Sequence, residues 1–233
     1  MRYQAAVARY EEWRERWRDP ILTALLVLLS LEVFVNLPLS QSHAYETSVF
    51  IAIWFPLVIS SVIVAARHRV AIAAILLSAL LTLTANTLRV DAPSTLTLCL
   101  GAGSLVIFMA ALIWIVWSAV FGPGRVTHHR IQGAVVLYLS IGLLFAALYQ
   151  ILAALIPDSI SEVAQHGGYP VLARTLVYFS LGTLTSTGYG DVLPIHPLAR
   201  SLSNLESVIG QLFPATLLAR IVALEMQQRR RAE

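Results

Sequence analysis

Long apolar runs constrain the fold of this chain more than any other feature of its sequence. Four of them come first, at residues 21–39, 48–66, 70–88 and 96–121. Each is close to or above the roughly 20 residues that a helix needs to cross a bilayer. Only 12% of the 233 residues are charged, whereas soluble domains carry about a quarter. The chain is therefore predicted to be an all-α membrane protein, because helices satisfy their own backbone hydrogen bonds in lipid.

The second half of the chain holds two more long runs with a shorter one between them. The fifth covers residues 131–156 and the sixth covers 197–226, so six crossings are predicted. Between them, Tyr169–Leu184 is apolar but only about four helical turns long, which is too short to cross a bilayer comfortably.

The placement of arginine predicts the orientation of the chain. All 16 basic residues are arginine, and most lie in the N-terminal segment, at 67–69, in the connector 122–130 and in the tail after residue 226. The connectors 40–47 and 157–169 hold acidic residues and no arginine. Because arginine favours the cytoplasmic side, both termini are expected in the cytoplasm. The arginines form no single patch, so no nucleic-acid partner is predicted.

The charged segment at residues 1–19 carries a stripe of aromatic side chains. Tyr3, Tyr10, Trp13 and Trp17 fall on one face of a helix. Two interpretations stay open. The segment lies in the inner headgroup layer, a depth that Trp and Tyr favour. Alternatively, it packs its stripe on the rest of the protein, which produces the same pattern.

Little in the sequence points to a cofactor or to enzymatic chemistry. Cys99 is the only cysteine, and the adjacent His128 and His129 do not share a helix face. Neither a disulfide, a metal site nor a cofactor is therefore predicted. No nucleophile and base lie together on any connector, so the protein is not expected to be an enzyme.

Two acidic residues fall inside apolar runs, where a charge is costly. Glu32 lies near the middle of the first run, one turn before Asn36, and Glu206 lies in the sixth. Both are interpreted as residues that hydrogen-bond within the helix bundle, Glu32 with Asn36 as its candidate partner.

The segment Tyr178–Pro194 reads YFSLGTLTSTGYGDVLP. We call its centre, Thr185–Asp191, the glycine loop. Gly188 and Gly190 suit a backbone that leaves ordinary strand geometry, because glycine visits positive φ without a steric penalty. Such a backbone can turn successive carbonyls to one side, where rings of them replace the water around a potassium ion.

The whole segment resembles the selectivity filter of the tetrameric potassium channels that have one pore loop per chain. The resemblance implies that Tyr169–Leu184 is a pore helix, which enters the membrane and stops midway. It also implies that the ion-binding stretch is Thr185, Ser186, Thr187, Gly188, Tyr189 and Gly190. Within it, carbonyls of Ser186, Thr187, Gly188 and Tyr189 would bind K⁺, and the hydroxyl of Ser186 would complete the innermost site.

The same resemblance assigns supporting roles to Tyr178, Phe179 and Asp191. Tyr189 would brace its ring against the pore helix, and Tyr178 is expected to reach Asp191. Phe179 cannot donate a hydrogen bond to Tyr189, as an indole in its place could.

Two letters of the glycine loop depart from the family pattern. Ser186 and Thr187 stand where threonine and valine are usual. Serine keeps the hydroxyl but loses the β-branch that stiffens χ1, so we expect a looser innermost site. A potassium-selective channel is the first hypothesis, and a non-selective monovalent cation channel on the same scaffold is the alternative.

The sixth run resembles the inner helix of prokaryotic two-helix pore modules. Gly210 lies twenty residues after Gly190, where many of them have a hinge glycine. Pro214 comes one turn later and predicts a kink, so a gating hinge at these two residues is favoured. The alternative role of Gly210 is close helix packing. The fourth run contains no charged residue, so gating by voltage is not expected.

The runs and the resemblance together predict six transmembrane helices plus a re-entrant pore helix and filter loop, assembled as a homotetramer around a central pore. The predicted parts are a cytoplasmic amphipathic segment (1–19), a four-helix transmembrane domain (20–121), a cytoplasmic linker (122–130), a pore domain (131–226) and a cytoplasmic tail (227–233). The protein is expected in the inner (plasma) membrane, with K⁺ as permeant ion and lipids as partners. A six-span transporter or sensor remains a further alternative, although a transporter would show paired broken helices.

Overall fold

Seven helices make up the described part of the protein. The computed structural model describes residues 22–36, 56–61, 69–91, 94–121, 128–161 and 169–232. The helices are α1 (Leu22–Asn36), α2 (residues 56–61), α3 (Arg69–Asp91), α4 (Thr95–Phe121), α5 (His128–Leu155), α6 (Tyr169–Leu184) and α7 (Pro197–Ala232). Pairing of extended backbone within these ranges is limited to one isolated bridge, between Ile160 and Pro194. The prediction of an all-α protein is confirmed for this part of the chain.

Three of these helices are long and apolar enough to cross a membrane. They are Arg69–Leu88, Thr95–Ser118 and Ile131–Leu155, which agree with the third, fourth and fifth predicted runs. Of the first two runs, only α1 and α2 lie within the described residues. The helix α7 covers the sixth run but is not one of the three, because polar residues such as Glu206 and Gln211 lower its hydropathy.

The long helices α3, α4 and α5 pack side by side in chain order. Their core includes Ile75, Phe108, Leu112 and Leu137, none of which is more than 2% exposed. Other large apolar side chains of α3 and α4 remain exposed, among them Leu76, Leu80, Leu83, Trp114 and Trp117. Helices that are apolar all round, with one side packed and the other open, are typical of a protein surrounded by lipid.

Helix α4 begins with a reciprocal cap. The backbone N–H of Thr97 donates to Ser94 Oγ at 3.3 Å, and the N–H of Ser94 donates to Thr97 Oγ1 at 3.1 Å. The first N–H groups of a helix have no partner within it, so a cap of this kind fixes where the helix starts.

The last turn of α1, Glu32–Asn36, is a π-helix. In it, Asn36 Nδ2 donates a hydrogen bond to Glu32 Oε2 at 2.9 Å. Asn36 is buried, and Glu32 is half-buried. The sequence-based pairing of these two residues is confirmed, and it gives the acidic group a polar partner inside an apolar run.

Helix α5 also packs against α6 and α7, and the three form the C-terminal half of the bundle. A second apolar core lies among them and includes Phe145, Tyr149, Leu176, Phe179 and Val192. The helix α7 runs without interruption from Pro197 to Ala232, with Pro214 inside it.

Three backbone hydrogen bonds hold the segment after the glycine loop to the loop after α5, one of them from the N–H of His196 to the carbonyl of Ser159 at 3.0 Å. The N–H of Ser161 donates to the carbonyl of Leu193 at 2.8 Å, and the N–H of Ile195 donates to the carbonyl of Ser159 at 2.9 Å. The hydroxyl of Ser161 also accepts from the N–H of Leu193 at 2.7 Å. The far end of the glycine loop is therefore anchored to α5 through this loop.

A polar contact joins the two halves of the bundle at the end of α4. Arg220 Nη2 donates to the carbonyl of Phe121 at 2.6 Å, and its guanidinium lies 4.8 Å from the centre of the Phe121 ring. The last carbonyls of a helix have no partner within it, so the arginine of α7 satisfies one of those of α4.

Several sequence-based predictions fall outside the described residues. These are the amphipathic segment 1–19, the connectors 40–47 and 122–127, and the side chains of the tail 227–233. The side chains of His128 and His129 are also outside them.

Candidate functional site

The glycine loop starts where α6 stops and stays attached to the end of that helix. The N–H of Thr185 donates to the carbonyl of Leu181 at 3.0 Å, and that of Ser186 to the carbonyl of Thr183 at 2.9 Å. The carbonyl of Gly182 accepts from both Thr187 and Gly188, at 2.8 and 3.1 Å. The last carbonyls of α6 are thereby satisfied, and the first half of the loop is fixed against the helix end.

The backbone of the loop adopts a left-handed conformation at every second residue. The φ angles are 56° at Ser186, 55° at Gly188 and 80° at Gly190. Glycine accepts such angles freely, whereas serine pays a steric penalty there. This alternation departs from a strand, in which successive carbonyls point to opposite sides. It is the kind of backbone that a row of carbonyls facing one way requires.

Every residue of the glycine loop is exposed in the single chain, and the ring of Tyr189 is 68% exposed. The loop lies between α6 and α7, which belong to the apolar bundle. Irregular backbone at membrane depth survives only where protein covers it or water lines it. The exposed face of the loop therefore needs a further protein surface, water, or both.

Tyr178 of α6 supports the outer half of the loop in two ways. Its hydroxyl donates to Asp191 Oδ2 at 2.8 Å, which is the contact expected from the sequence. Its ring also stacks on that of Tyr189, with centres 5.4 Å apart and planes 13° from parallel. Tyr189 thus rests against the shorter helix, as the resemblance implied.

Phe179 supports the site from a different position. It is buried behind α6, where its ring meets the edge of Tyr149 of α5 at 5.0 Å. The contact with Tyr189 comes from Tyr178, not from Phe179. Neighbouring residues on a helix face different directions, so Tyr178 and Phe179 cannot both face the loop. The sequence alone did not show which of the two does.

The hydroxyls of Thr185 and Thr187 face each other at 2.8 Å. That of Thr185 also donates to the carbonyl of Leu181 at 2.7 Å, which uses its single proton. Thr187 is therefore the donor of the pair, and its hydroxyl points back to the end of α6. The side chain of Thr185 serves the helix end.

At the inner end of the loop, Ser186 meets a residue that sequence analysis did not single out. Gln211 Nε2 of α7 donates to Ser186 Oγ at 2.7 Å. The two residues are 25 positions apart, so only the packing of α7 against α6 brings them together.

Gly210 lies where α7 touches the end of α6. A Cβ atom at this position would lie 1.8 Å from the carbonyl oxygen of Leu184 and 2.7 Å from its carbonyl carbon. Tyr138 of α5 donates to the same carbonyl at 3.1 Å. Close helix packing, which the sequence left as the alternative to a hinge, is thus the role visible at Gly210. Pro214 lies one turn further along the same continuous helix.

A buried polar cluster ties α5, α6 and α7 together behind the loop. Tyr149 Oη donates to Glu206 Oε2 at 2.8 Å, and Ser180 Oγ lies 2.5 Å from Glu206 Oε1. Ser180 Oγ is also 2.6 Å from the carbonyl of Gly142. All three side chains are fully buried. The prediction that Glu206 hydrogen-bonds between helices is confirmed.

Within the described residues, no group of three or more His, Cys, Asp or Glu side chains lies close enough to hold a metal ion. The polar groups of the glycine loop are those of its backbone, the hydroxyls of Thr185, Ser186, Thr187 and Tyr189, and the carboxylate of Asp191.

One family model matches the part of the chain that contains this site. Residues 137–227 match the family model described as an ion channel. This region, which is less than half of the chain, is similar to an ion-channel family. The matched ion-channel domain begins in α5 and ends in α7, so it contains the glycine loop and every contact described around it. The match supports the resemblance to potassium channels.

No curated protein and no solved structure matched the chain. The ion-channel domain and the three apolar helices together indicate a membrane protein that forms an ion pathway.

Proposed function

We propose that this protein is a potassium-selective channel that conducts K⁺ passively through the glycine loops of four identical chains. The observation that carries the proposal is the backbone of Ser186–Gly190, with positive φ at every second residue. In this proposal, carbonyls of Ser186, Thr187, Gly188 and Tyr189 bind K⁺, which is the permeant ion and not a resident cofactor.

The exposure of the loop supports a homotetramer. One chain contributes one loop, and four such loops are needed to surround an ion with rings of carbonyls. The stripe formed by Leu205, Val208 and Leu212 on α7 is more than half exposed in the single chain. In a tetramer, neighbouring subunits would cover both the loop and this stripe.

The membrane arrangement follows from the same proposal. Six crossings, with α6 entering as a re-entrant helix, place both termini in the cytoplasm and Asp191 at the outer mouth. The protein lies in the inner (plasma) membrane, with lipid as its surroundings. Gly210 and Pro214 remain candidates for a bend in α7 during gating.

A non-selective monovalent cation channel is the second candidate. It is favoured by Ser186 and Thr187, which stand where the family usually has threonine and valine. The scaffold and the row of carbonyls are the same in both proposals, so only the relative passage of K⁺ and Na⁺ separates them.

The test is ion flux from vesicles that contain the purified protein, with K⁺ and Na⁺ compared under matched gradients. We expect K⁺ to pass much faster than Na⁺. Equal rates would favour the second candidate, and no flux of either ion at any pH or lipid composition would contradict an open channel pathway.

Two glycine variants make this test specific to the loop. Neither Gly188 nor Gly103 of α4 has a neighbouring atom where a Cβ would be placed, but only Gly188 has a positive φ. Gly188→Ala should abolish selective K⁺ flux, because left-handed backbone costs an L-residue roughly 1–2 kcal/mol. Gly103→Ala should leave flux unchanged. Equal flux from both variants would contradict the assigned role of the loop.

A further inference from the structure

We propose that Gln211 is a specificity-determining residue, which fixes the hydroxyl of Ser186 at the inner end of the glycine loop and so sharpens the preference for K⁺ over Na⁺. The inference rests on the proposed function, because it assigns a role within that ion pathway.

The contact itself is direct. Gln211 Nε2 donates to Ser186 Oγ at 2.7 Å, and both residues are exposed on the side of the chain that carries the glycine loop. A serine side chain chooses among three staggered rotamers, whereas a β-branched threonine is much more restricted. The hydrogen bond selects one of these rotamers, so Gln211 replaces the stiffness that the missing β-branch would supply.

The hydrogen bond leaves Ser186 able to face a cation. A hydroxyl has one proton and two acceptor lone pairs, and Gln211 occupies one of these lone pairs. The other lone pair is free to face an ion. In four chains, four such oxygens would form a ring whose radius is held by four glutamines. A ring of fixed radius replaces the hydration of one ion size better than another, which is one physical route to selectivity.

Two contacts between α7 and the end of α6 bring Gln211 level with Ser186. Ser207 Oγ donates to the carbonyl of Thr183 at 3.3 Å, one turn before Gln211. Gly210 then brings the backbone of α7 against the carbonyl of Leu184. Because a slide of α7 along α6 would break both contacts, they fix the position of Gln211 along the loop. Its amide is thereby held within reach of Ser186, two residues beyond Leu184.

A double-mutant cycle in vesicles tests the inference. The variants are Gln211→Ala, Ser186→Ala and the pair together, and the readout is the ratio of K⁺ to Na⁺ flux. Gln211→Ala should lower that ratio about tenfold, a size that hydrogen bonds of typical net strength allow. Ser186→Ala should lower it at least as much. Adding Gln211→Ala to Ser186→Ala should then change nothing, because the glutamine acts through the hydroxyl.

Asn204→Ala is the matched control, since it removes another exposed amide seven residues earlier on α7. Its flux ratio should equal that of the unaltered protein. Where a variant passes too little ion to measure, the stabilisation of the tetramer against heat by K⁺ relative to Na⁺ gives the same comparison without an open pathway.

The outcomes separate the two proposals. A selective unaltered channel whose ratio is unchanged by Gln211→Ala overturns the role of Gln211 alone. The role of Gln211 is also overturned if the effects of Gln211→Ala and Ser186→Ala on the flux ratio simply add. It is overturned as well if Gln211→Ala lowers K⁺ flux and Na⁺ flux in equal proportion. An unaltered channel that passes both ions equally overturns the proposed selectivity and this inference with it.

Discussion

The missing side chain of Gly210 lets α7 touch the carbonyl of Leu184. A hinge and a close packing contact both suit a residue without Cβ, and the sequence favoured the hinge because Pro214 follows one turn later. The distance of 1.8 Å from a Cβ to the Leu184 oxygen makes the packing role visible. A bend of α7 at Gly210 would break this packing contact.

Gly210→Ala should therefore destabilise the protein. The atom in the way belongs to the backbone of Leu184, which cannot rotate aside, so we expect a cost of about 1–3 kcal/mol, as for other overpacked sites. Gly142→Ala is the matched control. Its Cβ would lie 2.8 Å from Leu181 Cδ2, the movable end of a side chain.

Thermal unfolding of the purified protein in detergent measures the difference between these variants. The melting temperature should fall clearly further for Gly210→Ala than for Gly142→Ala. Equal melting temperatures would show that the end of α6 yields easily, and the tight contact would then carry no structural weight.

Sequence and structure agree to different degrees among these residues. Positive φ could be predicted at Gly188 and Gly190, because only glycine adopts it without penalty. Ser186 also has a positive φ, which its residue type does not predict. Gln211 was not predicted at all, because a contact across 25 residues depends on how α7 packs against α6.

At the scale of helices, α6 is held from two sides. Tyr149 of α5 and Glu206 of α7 form a polar cluster with Ser180, one turn before the end of α6. The apolar runs predicted these helices well, because length and hydropathy are local properties. The sequence said less about which helices pack against each other, since any face of an apolar helix can meet another helix in a membrane. Glu206 was the exception, because a buried acid needs partners.

Glu206→Leu should loosen the three helices. It leaves the buried hydroxyls of Tyr149 and Ser180 without their partner, and we expect a loss of about 1–3 kcal/mol, because hydrogen bonds inside membrane proteins are each worth roughly 0.6–1.7 kcal/mol. Glu206→Gln should cost less. Its amide oxygen accepts from Tyr149 and its NH₂ donates to Ser180, whose own proton then serves the carbonyl of Gly142.

Thermal unfolding again provides the measurement, with the K⁺ flux of each variant as a second readout. The melting temperature should be highest for the unaltered protein, lower for Glu206→Gln and lowest for Glu206→Leu. If Glu206→Leu were as stable as the unaltered protein, the cluster would not be what holds α6.

At the scale of the whole molecule, the N-terminal helices and the ion-channel domain form one bundle, because α4 packs along α5. The composition of α4 limits what this arrangement can sense. Its 27 residues, TLTLCLGAGSLVIFMAALIWIVWSAVF, include no Asp, Glu, Lys, Arg or His. A membrane potential does work only on charges that move through it, about 2.3 kcal/mol per charge per 100 mV.

The conductance of the protein in planar bilayers should therefore change little between negative and positive voltages. Single-channel open probability, recorded at several voltages with symmetric K⁺, measures this directly. A steep dependence would contradict this prediction and would mean that charges outside α4 cross the field.

The contact between Arg220 and Phe121 has a mechanical consequence. It fastens the end of α4 to the inner part of α7, while Gln211 fastens α7 to the end of the glycine loop. Force applied to α4 can therefore pass through α7 to Ser186, along the nine residues of one continuous helix that separate Gln211 from Arg220. A stimulus that never touches the loop, such as a change in lateral pressure on the N-terminal helices, would arrive there as a pull on the hydroxyl of Ser186.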